Sequence, residues 1–201
     1  MIYHSQNIVV LHYIILGFTR SADTISLDYF INRYLYNRKN SHSDSFKKIY
    51  SIAPSWHYGW PIKLILAVTT STYLLAGIAK ILGPLGFSWF FGESVRSQIA
   101  VDAIRKEILS NGAKPLAYIL YNKVYLFTFI GVSTLVLELG APFAMLNKRL
   151  GYLWSISTFL MHWGIYFIMG INFRYQMLGI VFLPFFDIEK IYIKLKSKLF
   201  E

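Results

Sequence analysis

Three side chains that can gain or lose a proton stand inside apolar sequence: Lys80 in "YLLAGIAKILGPLG", Glu138 in "GVSTLVLELGAPFAML" and His162 in "STFLMHWGIYF". An amine withdrawn from water can lose its charge and serve as a base, and a carboxylate near an imidazole can relay a proton. Each also has a structural use, because a lysine near a helix end extends its ammonium to water and a polar pair can hold two helices together. Counting about 1.5 Å per residue from the ends of the apolar runs sets Lys80 about 3 Å below one rim. The same count sets Glu138 about 12 Å from the opposite rim and His162 about 18 Å from that same side. Lys80 and Glu138 are then about 15 Å apart in depth, too far for a direct salt bridge, with His162 between them. The expectation is Lys80 as candidate base, with Glu138 and His162 as a relay or as the lining of a cavity.

The elements that must position these groups are apolar runs: 8–18, 62–82, 124–146, 150–171 and a short one at 177–186. A hydrophobic content of 55%, with mean hydropathy +0.45, lies outside the range of soluble domains. Lipid offers no partner for an open backbone group, so the runs must be helical. The reading is an all-α, polytopic transmembrane bundle of about five spans, one membrane domain over residues 1–201. The first run is shorter than the roughly 20 residues that cross a bilayer. The start lacks a basic leader and a small-residue cleavage site, so it is expected to be retained. Residues 94–109, "SVRSQIAVDAIRKEIL", place Val95, Ile99, Ala103 and Ile108 near one face, with Ser94 as N-cap and Asn111-Gly112 as stop. That segment reads as an amphipathic helix on the membrane surface.

A net charge of +10 would point to nucleic acid in a soluble protein. Here the basic residues lie between apolar runs, where anionic lipid and the positive-inside rule account for them, and a nucleic-acid partner is excluded. With five alternating spans, thirteen of the 20 Lys and Arg fall on one side. They lie in the loop 20–63, at Lys148 and Arg149, and in the basic tail 187–201. The C-terminus is then cytoplasmic and Lys80 faces outward across a bacterial inner membrane. The chain has no cysteine, which rules out thiolate chemistry and CxxC redox centres. His4, His12, His42 and His57 share no metal-ligand spacing, so no metal is assigned.

Two stretches carry a resemblance. "YLLAGIAKILGPLGFSWFFG" is similar to the Tyr-x-x-Ala-Gly-x-x-Lys, then Trp-x-x-Gly, pattern of the membrane domain of vitamin K-dependent gamma-glutamyl carboxylases and of the wider HTTM (horizontally transferred transmembrane) proteins. "LELGAPFAMLNKRLGYLWSISTFLMHWGIYFIMGINFRYQML" resembles that family's pair of spans with a histidine late in the second. The resemblance implies a lysine base at Lys80 abstracting a proton from a quinol or vitamin K-like cofactor at the outer membrane face. It also implies cofactor contacts at Tyr73 and Trp89, and at Asp23, where the family's Asn-His is replaced by Ala22-Asp23. The family further leads one to expect helices upstream of Met1. Its other implied role is non-enzymatic, as a membrane partner in export or maturation of a secreted peptide. "KILGPLGF" and "LELGAPF" are also similar to DoxX-like redox-associated membrane subunits.

Overall fold

Long apolar runs close their backbone hydrogen bonds locally, and most of the described residues are helical. The computed structural model describes residues 4–19, 27, 31, 34, 35, 56–109, 112 and 115–188, and among these there is no strand. The helices are α1 (His4–Gly17), α2 (Trp56–Leu82), α3 (Glu93–Ile108), α4 (Pro115–Leu120), α5 (Val124–Leu139), α6 (Lys148–Met169) and α7 (Arg174–Met177). Short 3-10 helices follow α2 (Gly86–Phe91), α5 (Ala141–Met145) and α7 (Ile180–Phe185). Asp23 and most of the loop 20–63 lie outside the described residues, as do residues 189–201 of the tail.

The chain divides into two compact units, residues 10–65 and residues 1–9 with 66–201. In the smaller one Ile15 and Ile65 are buried and His12 is the buried polar group. The larger has two apolar clusters. One gathers Ile8, Val9, Tyr73, Ala141, Trp154, Val181, Phe182 and Phe185, and the other gathers Ile99, Ala117 and Phe127. Outside these, large apolar side chains such as Leu75, Phe129, Val136, Leu153, Leu160 and Phe167 stand exposed along α2, α5 and α6. Among the described residues one helix, 59–82, is long and apolar enough to cross a membrane, and 7–17 and 124–139 are shorter apolar helices.

Glycine and proline set the ends of these helices. Pro84 stops α2, since it lacks an N–H and pushes its neighbour out of helical geometry. Asn147 caps α6 by accepting the Leu150 N–H at 2.9 Å, and Gly170 ends it at φ +68.

The third apolar run does not form one rod. α5 closes at Leu139, and Pro142 enters a separate 3-10 turn. The fifth, 177–186, is not an α-helix, and its length explains why. The Trp163 indole donates to the Met177 carbonyl at 3.2 Å, Phe186 stacks on Tyr152 at 5.1 Å, and Asp187 meets Lys148 at 2.6 Å. The segment thus runs back along α6 from Trp163 to Lys148, a rise of about 22 Å. Ten residues of α-helix reach only about 15 Å, whereas the 3-10 rise of about 2 Å per residue nearly closes the distance.

The 94–109 segment differs in detail from expectation. Ile99 and Ala103 are buried, but Ile108 is 77% exposed, because nine residues at about 100° each carry it to the opposite side from Ile99. Ser94 is not the cap; Gly92 holds that position, and the Ser94 hydroxyl pairs with Ser88 at 2.8 Å. Asp102 points inward and binds Arg105 at 2.7 Å and Lys106 at 2.6 Å. The Lys106 ammonium also donates to the Met169 carbonyl, placing a cation at the negative end of α6.

Candidate functional site

The centre of the larger unit is built where α2 and α5 pass each other antiparallel. Thr70 donates to the Met145 sulfur at 3.3 Å, and further along Gly77 lies against the Glu138 and Leu139 side chains. A Cβ on Gly77 would stand 2.9 Å from Leu139 Cδ2 and 3.0 Å from Glu138 Cβ, so the absence of a side chain sets how near the two helices come. One turn on, Lys80 Nζ forms an ion pair with Glu138 Oε1.

This contact corrects the depth argument, which held the two apart by about 15 Å. That count placed the end of α2 at the molecule's rim. In fact the chain continues beyond Leu82 along α5 as the aromatic 3-10 segment Gly86–Phe91. Gly92, at φ +71, packs so closely that a Cβ would lie 2.2 Å from the Thr128 nitrogen. From Thr128 to Glu138 the rise of α5 is about 15 Å, which is the missing distance. Lys80 is therefore partly covered, its side chain 25% exposed against 7% for Glu138, and the two meet directly with no vertical series through His162.

The remaining described candidates gather around this pair. The Lys80 ammonium sits 5.4 Å from the centre of the Trp89 ring, a cation–π contact supplied by the 3-10 segment. Tyr73, two turns before Lys80 on α2, places its hydroxyl 3.4 Å from His162 Nε2. His162 Nδ1 lies 2.8 Å from the Thr158 carbonyl, which can only accept, so that nitrogen carries a proton and Nε2 of the neutral ring accepts from Tyr73. Trp154 packs edge-on to Tyr73 at 5.1 Å and donates its indole N–H to the Leu137 carbonyl at 2.9 Å, tying α6 to α5 beside the pair.

Five of the six residues picked from the sequence, Lys80, Glu138, His162, Tyr73 and Trp89, thus share one neighbourhood. Asp23 lies outside the described residues. The second carboxylate oxygen, Glu138 Oε2, is buried and has no hydrogen-bond partner among the described residues. Three more buried oxygens are in the same condition, Ser155 Oγ, Thr158 Oγ1 and Gln176 Oε1. Sequence reasoning missed these, although Ser155, Thr158 and His162 recur at three- and four-residue spacing, the signature of one helix stripe.

No family model, curated protein or solved structure matches the chain. The resemblance to the HTTM proteins and the carboxylases rests on the quoted motifs, and the arrangement above stands on its own geometry.

Proposed function

We propose that this chain is a polytopic membrane protein whose buried Lys80–Glu138 pair binds the hydroxyl-bearing head of a lipophilic small molecule of the quinol class and takes its proton. The observation that carries this reading is Glu138 Oε2, a buried acceptor with no donor among the described residues, beside the Lys80 ammonium that faces the Trp89 ring. A buried carboxylate oxygen of this kind suits an O–H donor brought by a ligand. The proton passes from the ligand oxygen to Glu138, and the ligand oxyanion that remains is held by the Lys80 ammonium, so charge balances at every stage. In this reading Glu138 accepts the proton and Lys80 stabilises the anion. The Tyr73 and Trp89 rings wall the head group, while the Tyr73–His162 hydrogen bond orients Tyr73.

Exposed apolar side chains along α2, α5 and α6 support the membrane assignment, since water-facing surfaces rarely carry so many. In the proposed topology α1, α2, α5 with its 3-10 extension, and α6 cross the bilayer. The 177–186 segment recrosses against α6 as a path that is 3-10 helical over Ile180–Phe185, turning Val181, Phe182 and Phe185 inward and Leu178, Ile180 and Leu183 outward to lipid. The Lys148–Asp187 ion pair supports placing the α5–α6 turn and the start of the tail on one side, the cytoplasmic one by charge. Lys80 then opens toward the outer leaflet and α3 lies at the outer interface.

The test is mass spectrometry of lipophilic molecules that co-purify with the chain in detergent. A quinol-class or other phenolic molecule retained by the wild type and lost from Glu138→Gln supports the reading; its retention by Glu138→Gln, or its absence from both, rejects it.

A further inference from the structure

The four unpartnered oxygens are not scattered. Glu138, Ser155, Thr158 and Gln176 are between 0% and 6% exposed, and two of them, Ser155 and Thr158, align with a third polar group, His162. Ser155, Thr158 and His162 form one stripe of α6 that rises about 10 Å. At its lower end, the Trp154 bond to Leu137 joins it to the turn of α5 that carries Glu138. At its upper end, the Trp163 bond to Met177 and the His162–Phe173 ring contact at 5.0 Å bring up the α7 segment that carries Gln176. Beyond it lies the loop 170–174, whose Asn172 and Arg174 are exposed.

A polar atom buried without a partner is costly, and folded proteins resolve the cost with water or an ion at such positions. The donor set decides between them. Lys80 already neutralises the charge of Glu138, and Ser155, Thr158 and Gln176 are neutral, so a cation would meet no net negative charge. The spacing decides further. Successive groups on the stripe are separated by about 4.5 Å and about 6 Å along the axis, within the span of one water making two hydrogen bonds of about 2.8 Å.

We infer that the α6 stripe holds a file of water molecules running from the Lys80–Glu138 pair past Ser155 and Thr158, alongside the His162 ring, to Gln176 and the 170–174 loop. Along such a file each water takes a proton on its oxygen and releases another from the same oxygen. The buried pair thereby exchanges protons with the aqueous face at the C-terminal end of α6 while the surrounding helices stay closed to lipid and bulk solvent. The inference goes beyond the ligand reading and does not require it.

Radiolytic hydroxyl labelling of the detergent-purified full chain, read by mass spectrometry, tests it on the unaltered protein, because water fixed beside a buried ring yields the radical there. Tyr73, Trp154 and His162, at 5% to 8% exposed, are expected to label faster than Ile99, Ala117 and Phe127 of the other apolar cluster, which at 0% to 4% bracket what burial alone protects. Equal protection of the two groups overturns the inference. Thr158→Val keeps the shape, removes the hydroxyl and is expected to reduce labelling at His162, whereas Thr158→Ser keeps the hydroxyl and is expected to label as the wild type does. If Thr158→Val melts higher than the wild type and labels His162 as before, the stripe is dry and the inference fails. Loss of Phe127 protection identifies an unfolded variant, and the wild-type comparison then decides alone.

Discussion

Glu138 is buried and Lys80 is the cation that meets it, and that arrangement predicts how their variants behave. Removing one partner of a buried ion pair strands the other, at a cost of about 3 kcal/mol. Lys80→Met should therefore lower the melting temperature of the detergent-solubilised protein sharply. Lys80→Met combined with Glu138→Gln should recover most of the loss, because two neutral groups no longer need each other. A double variant no more stable than Lys80→Met shows that the pair is not coupled as described. Trp89 adds a smaller term: Trp89→Leu should cost about 1 kcal/mol through the lost cation–π contact. The types of these residues were legible in the sequence, since a lone lysine and a lone glutamate in apolar runs attract attention wherever they occur. Their pairing was not legible. It depended on how far the chain continues along α5 after α2 ends.

That continuation is a matter of elements. The 3-10 segment Gly86–Phe91 contains no charge and contributes four aromatic rings, and it adds cover above Lys80 that helix counting does not see. Its closure depends on Gly92, which adopts φ +71 with the Thr128 backbone 2.2 Å from where a Cβ would be. Gly92→Ala should cost more than about 2 kcal/mol, the left-handed conformation alone accounting for about 1 to 2. It should also expose Lys80, which amine-reactive labelling would detect; a stable variant with Lys80 still protected contradicts the account of the cover. The same reasoning explains the 177–186 segment. Its apolar content was plain, but whether ten residues form an α-helix or a longer 3-10 path depends on the distance they must cover beside α6. In α3, charge and apolar content were clear, yet Ile108 was assigned to the face it does not share with Ile99.

For the whole molecule, the Lys148–Asp187 contact makes a topological prediction that the absence of cysteine makes simple to test. Single-cysteine variants Lys148→Cys and Asp187→Cys in oriented membranes should be labelled by an impermeant thiol reagent from the same side. Lys123→Cys, at the start of α5, should be labelled from the other. Labelling of Lys148→Cys and Asp187→Cys from opposite faces would overturn the return path of the 177–186 segment along α6. Labelling of all three from both faces would overturn the membrane placement.

Composition and patterning alone pointed to helices, which the described residues form, to apolar runs of the kind that 59–82 shows, and to a chain without thiol chemistry, because these follow from side-chain transfer energies and backbone hydrogen bonding that act residue by residue. They also picked out Lys80, Glu138 and His162, since an ionisable group in an apolar run is conspicuous without any fold. Only the tertiary structure decided which of these groups touch. Whether Lys80 meets Glu138 or water, whether Tyr73 meets His162, and whether Ser155 and Thr158 lack partners all depend on the register of one helix against another. That register is fixed by close approaches at Gly77 and Gly92 and by two indole hydrogen bonds, contacts between residues far apart in the chain that no local pattern encodes.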